Sequence, residues 1–125
     1  KDSAITIVNK EAERIMAEAR QQADALMAQA EKQAASIKAE ADKQAASIKA
    51  EAQKQADNLL AEAGNDPIKK LAARKAGEKL IQEANKQTNK LQSEANKQAD
   101  AVVSNAKIQA DKIMLDAENK AKIQK

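Results

Sequence analysis

Beginning at Ala17, four consecutive blocks of eleven residues read AEARQQADALM, AQAEKQAASIK, AEADKQAASIK and AEAQKQADNLL. Repetition at a fixed period determines which residues recur on one side of the chain, so it takes precedence over local propensity. The apolar positions advance by four, four and three: Val8, Ala12, Ile15, Ala19, Ala23, Leu26, Ala30, Ala34, Ile37, Ala41, Ala45, Ile48, Ala52, Ala56, Leu59 and Ala63. Steps of three and four return to the same side only of an α-helix. Eleven residues over three turns is about 3.67 per turn, slightly above the straight-helix value, which predicts a nearly straight stripe with a weak right-handed supercoil.

The rest of the composition agrees with long helices and little else. The chain has 125 residues with two Gly, one Pro and no Phe, Tyr or Trp, and much of its apolar content is alanine. Such a sequence cannot fill an ordinary globular core, while Ala, Glu, Lys and Gln are strong helix formers. A second stripe repeats the spacing in a new phase: Ala73, Gly77, Leu80, Ala84, Thr88, Leu91, Ala95, Ala99, Val102, Ala106, Ala110, Ile113, Ala117 and Ala121. Between the stripes stands Gly64-Asn65-Asp66-Pro67. Gly suits the left-handed position after a helix, Asp is a strong N-cap, and Pro is favoured at the first helical residue. The chain is therefore expected to be all-α, an antiparallel two-helix coiled-coil hairpin forming one elongated domain. Residues 1–63 form the first helix, 64–67 the turn and 68–125 the second helix. The alternative is one long helix kinked at Pro67. Arms of about 60 residues would each run roughly 90 Å.

A hairpin requires facing residues to have numbers of nearly constant sum. Leu59 then meets Ala73, Ala52 meets Leu80, Ile48 meets Ala84, Ala41 meets Leu91, Ile37 meets Ala95, Ala30 meets Val102, Leu26 meets Ala106, Ala19 meets Ile113 and Ile15 meets Ala117. Large meets small in every layer. The layers between them, such as Ala56 with Gly77 and Ala45 with Thr88, are small on both sides. Near-constant layer volume is what close packing of two helices demands. A two-helix arrangement built on alanine buries little area, so association with another copy is expected, with a dimer of hairpins favoured. Met16, Met27 and Leu60 on the first arm and Ile81, Val103 and Met114 on the second are candidates for a seam closing a four-helix bundle. Lys38, Lys49 and Gln92 interrupt that seam, and a solvated face is the competing reading.

Residues 1–63 carry 9 basic and 11 acidic side chains, net −2, and residues 64–125 carry 13 and 8, net +5, a mild bias toward pairing of the arms. Lys69, Lys70, Arg74, Lys75 and Lys79 form a basic cluster beside the turn, to be read as a solvated helix start or as a phosphate or headgroup site. Interspersed charge and the absence of aromatics argue against nucleic-acid binding. Zero Cys and zero His exclude disulfides, thiol and imidazole chemistry and Cys/His zinc sites. Glu40, Asp42 and Glu51, or Glu11, Glu13 and Glu18, are arranged as a solvated helix face, not as acid/base pairs or metal ligands. No enzyme activity, catalytic residue, cofactor or metal is expected. No apolar run reaches transmembrane length. The chain starts at Lys1 without Met, compatible with removal of a leader or anchor. Ile5-Thr6-Ile7-Val8 reads as a short strand, a docking tip or a frayed helix start.

The stretch KEAERIMAEARQQADALMAQAEKQA resembles the right-handed coiled-coil segments of rotary ATPase peripheral-stalk subunits, and the Ala/Lys/Glu elevenfold repeat is similar to late-embryogenesis-abundant proteins. A more distant resemblance is to Skp/OmpH-type periplasmic chaperones, whose tentacles are antiparallel helix pairs and whose opening strand Ile5-Thr6-Ile7-Val8-Asn9 is similar to. That likeness implies the cell envelope or periplasm as the setting. No site residue is carried over from any of the three. The expected function is a structural or interaction coiled coil, a rigid rod, spacer or self-association module with a protein partner at its tip or ends. The alternative is a holdase-like chaperone or an amphipathic surface-binding protein.

Overall fold

Residues 1–63 contain neither glycine nor proline, so nothing in them interrupts the hydrogen-bond ladder of a helix. A computed structural model describes the backbone of residues 2–124 and the side chains of residues 9–122. It contains α1, Asp2–Ala63, and α2, Pro67–Gln124, and no other element among the described residues. The two helices pack against each other as a hairpin, which excludes the kinked single helix. Ile5-Thr6-Ile7-Val8 belongs to α1, so the strand reading of that run is corrected. The side chains of those four residues lie outside the described ones, and with them Val8 as a member of the stripe and the docking-tip reading.

Two compact units make up the chain, one of Lys1–Ala35 with Ala99–Lys125 and one of Ser36–Gln98. In the first, α1 buries Ala12, Ala19, Ala23, Ala30 and Ala34, and α2 buries Ala99, Ala106, Ala110, Ala117 and Ala121. In the second, Ala41, Ala45, Ala52, Ala56 and Ala63 are buried from α1, and Ala73, Gly77, Ala84, Thr88 and Ala95 from α2. Small residues at the line of contact let the backbones come close. A Cβ placed on Gly77 would stand 3.0 Å from the Ala56 Cβ and 3.5 Å from its Cα. Helices this near leave no room between them for a large side chain. Accordingly Ile15, Leu26, Val102 and Ile113 in the first unit, and Ile37, Ile48, Leu59, Leu80 and Leu91 in the second, are half-buried. The fully buried core is alanine, one glycine and Thr88.

Thr88 is the one buried polar residue among those described, at 0% exposure, and its Oγ1 donates to the Asn85 carbonyl at 3.0 Å. That bond to the preceding turn satisfies the hydroxyl and lets it sit where alanine sits elsewhere.

Candidate functional site

The turn is built from local chemistry. Gly64 has φ 62°, the left-handed conformation that costs other residues about 1–2 kcal/mol, and its N–H donates to the Ala61 carbonyl at 3.2 Å. Asp66 caps α2: its Oδ1 accepts from the Ile68 N–H at 3.0 Å and the Lys69 N–H at 3.4 Å, while its carbonyl accepts the first helical bond, from Lys70, at 2.9 Å. Pro67 is the first residue of α2, where a missing N–H costs nothing. Gly64, Asn65, Asp66 and Pro67 are all exposed.

Along the helix contact, large side chains line shallow grooves beside the buried alanines. In the first unit Ile15 and Ala19 share a groove with Ile113 and Ala117, edged by Arg14, Glu18, Gln22, Asp116 and Lys120. In the second, Ile48 and Ala52 share one with Leu80 and Ala84, edged by Ser47, Glu51, Gln55, Glu83 and Gln87. The opposite edge of the first unit holds Met27 and Met114 together, beside Ala23 and Ala110. Met16, Met27, Ile81, Val103 and Met114 are half-buried, and Leu60 is 40% exposed. Candidate seam residues Met27 and Met114 therefore line a second edge of the helix pair. Gln92, which interrupts the candidate seam in sequence, has a structural role: its Nε2 donates to Asp42 Oδ1 on the other helix at 3.0 Å.

Charged groups remain at the surface. Every described Asp and Glu is exposed except Glu11, which is half-buried. Arg14 bridges Glu11 and Glu18, reaching Glu18 Oε1 at 2.8 Å. The hydrogen bond from Arg14 holds the Glu11 carboxyl below its ordinary value of 4.5; partial desolvation opposes this and the charge of Arg14 adds to it. The same hydrogen bond raises the Arg14 guanidinium further above an already high value. Lys107 and Asp111 form a looser pair at 3.7 Å. Among the described residues no group of three or more carboxylates is placed to hold a metal ion, and no helix is long and apolar enough to cross a membrane.

Four exposed apolar side chains escaped the sequence reading: Ile68 at 81% exposure, Leu71 at 54%, Ile108 at 67% and Leu115 at 56%. The signal was present. Each sits off the second stripe, at spacings that return to the side of α2 opposite its buried residues. Near the turn, Ile68 and Leu71 stand among the basic cluster. Lys69, Arg74, Lys75 and Lys79 are exposed and Lys70 is half-buried. No family model, no curated protein and no solved structure matches the chain.

Proposed function

We propose that this chain is a non-enzymatic structural and interaction module, a hairpin that self-associates and offers its turn to other molecules. The observation that carries the reading is the division of apolar side chains. What the hairpin buries completely is nearly all alanine, while Ile15, Leu26, Ile37, Ile48, Leu59, Leu80, Leu91, Val102 and Ile113 stay half-buried. Burying the remainder of a Leu or Ile is worth a fraction of about 1.5–3 kcal/mol, and nine such positions recur along the pair. A second hairpin laid on that edge would complete their burial and close a four-helix bundle. The elevenfold spacing supports the same arrangement, because a repeat close to the helical period returns the large residues to one side of each helix. Exposure of the described carboxylates other than Glu11, which is paired with Arg14, supports the non-enzymatic reading.

Sedimentation equilibrium of the full chain over a range of concentrations tests the reading. A mass that approaches the dimer, with helicity rising alongside it, is the expected result. A fully helical monomer at every concentration would overturn it. Exposed Ile108 and Leu115 favour a second reading, a holdase. Suppression of a client's aggregation, followed by light scattering, separates the two, since a passive module leaves the scattering unchanged.

A further inference from the structure

The first three turns of α2 concentrate the charge of the chain. Ile68–Lys79 holds five basic side chains and one acidic, a net of +4 against +3 for all 125 residues, which leaves the other 113 at −1. None of the five cations forms an ion pair among the described residues, where the ion pairs are Arg14 with Glu11 and Glu18 and Lys107 with Asp111. The first turn of α2 carries no acidic residue. Cations at this end are repelled by the positive pole of the helix dipole, so helix stability does not account for them. Ile68 and Leu71, 81% and 54% exposed, lie on the same outer face as Lys75 and Lys79, where burial does not account for them either.

We propose that the turn end of the hairpin docks on an anionic lipid surface, Ile68 and Leu71 entering the headgroup boundary while Lys75 and Lys79, on the same face, meet lipid phosphates and the other three cations add their charge beside them. An apolar pair flanked by cations is the pattern of interfacial binding, in which hydrophobic insertion and attraction to anionic headgroups add. Four of the five cations are lysines, compact charges on long stems that reach a plane of headgroups without needing a shaped partner. Nucleic acid is the weaker fit, because phosphates leave Ile68 and Leu71 uncovered and the chain has no aromatic side chain on which a base stacks. The proposal rests on the reading of the turn as a presented end, and not on self-association.

Flotation of the full chain with phosphatidylcholine vesicles, with and without phosphatidylglycerol, tests this. Binding is expected only with phosphatidylglycerol. Removing two cations of that face, Lys75→Gln with Lys79→Gln, should weaken it about 25-fold, about fivefold for each charge. Ile68→Ser should weaken it roughly tenfold with the charge unchanged. The control, Lys32→Gln with Lys43→Gln, removes the same charge away from the turn and should leave binding within about twofold. An equal loss in that control would overturn docking through the turn. Equal binding to both vesicle types, or retention on DNA or polyglutamate without vesicle binding, would overturn the lipid assignment. Circular dichroism of each variant checks that these exposed substitutions leave the helices intact. Vesicle binding reads the turn and sedimentation reads self-association, so failure of one leaves the other standing.

Discussion

Exchanging Gly77 and Ala56 probes the closest approach of the two helices with the register held fixed. Gly77→Ala removes a glycine from a helix interior, which is worth about 1 kcal/mol. It also sets a methyl 3.0 Å from the Ala56 Cβ, a carbon fixed to helix backbone that can yield only if the helices part. Overpacking of this kind costs about 1–3 kcal/mol, so the single variant should be between neutral and about 2 kcal/mol less stable. Ala56→Gly loses about 1 kcal/mol of helix preference and about 0.8 kcal/mol of buried methyl, close to 2 kcal/mol together. In the double variant the helix terms cancel and the layer again holds one methyl, so stability returns to within about 0.5 kcal/mol of the parent. The coupling between the two sites is then about 2–4 kcal/mol in favour of the exchange. Urea unfolding followed by circular dichroism at one fixed protein concentration measures all four corners of the cycle, the fixed concentration keeping any association constant. A coupling below about 0.5 kcal/mol would mean that Gly77 and Ala56 do not meet and that the register is wrong.

Other expectations are simpler. Gly64→Ala places a side chain at φ 62° and should cost about 1–2 kcal/mol in the same unfolding assay, although nothing lies within 4 Å of the added Cβ; a neutral result would show that the left-handed turn is not maintained. Asp66→Ala removes the acceptor for the Ile68 and Lys69 N–H groups and should cost about 0.5–2 kcal/mol, and Asp66→Asn should recover most of it. Thr88→Leu adds volume at a site with 0% exposure and should destabilise by about 1–3 kcal/mol, whereas Ser93→Leu, at an exposed position of the same helix, should be nearly neutral. Glu11 is held below 4.5 by Arg14, so its contribution to stability is present above that pH and is lost as the pH falls through the lower folded value. Carboxyl chemical shifts should place the Glu11 midpoint below 4.5 in the parent and return it toward 4.5 in Arg14→Gln.

Much of the hairpin was legible because its cues are local and agree with one another. Gly64, Asp66 and Pro67 each suit one position of a helix stop and start, and the Ala-rich arms leave no competing structure. The approach of Ala56 to Gly77 followed from the numbering of the two stripes, since one turn fixes the register of everything beyond it. The division of burial within the stripes was not legible. Sequence marks Ile48 and Ala52 alike as apolar, but only the distance between helix axes decides which fits between them, and that distance is set by the smallest residues of the opposing arm. Gln92 looked like an interruption because its partner, Asp42, is fifty positions away. Ile68 and Leu71 fall outside the apolar stripe, and periodicity alone does not separate an apolar residue with a role on the outer face from one that is merely tolerated there.

The same close approach that makes this hairpin well defined also keeps it modest in stability. An alanine methyl contributes about 0.8 kcal/mol when buried, against about 1.5–3 kcal/mol for a fully buried leucine or isoleucine. The fully buried positions are almost entirely alanine, so the larger residues at the edges hold apolar surface that the hairpin alone leaves wet. Enlarging the alanines would force the helices apart and undo the packing, so stability cannot be raised from within the contact line. It can be raised by covering the edges. The small core and the half-buried large residues have one cause: a chain that packs its own helices too closely for leucine leaves its leucines half-exposed at the edge. Under the proposed self-association, folding and association are linked, and the expected outcome of dilution is that helicity and mass fall together.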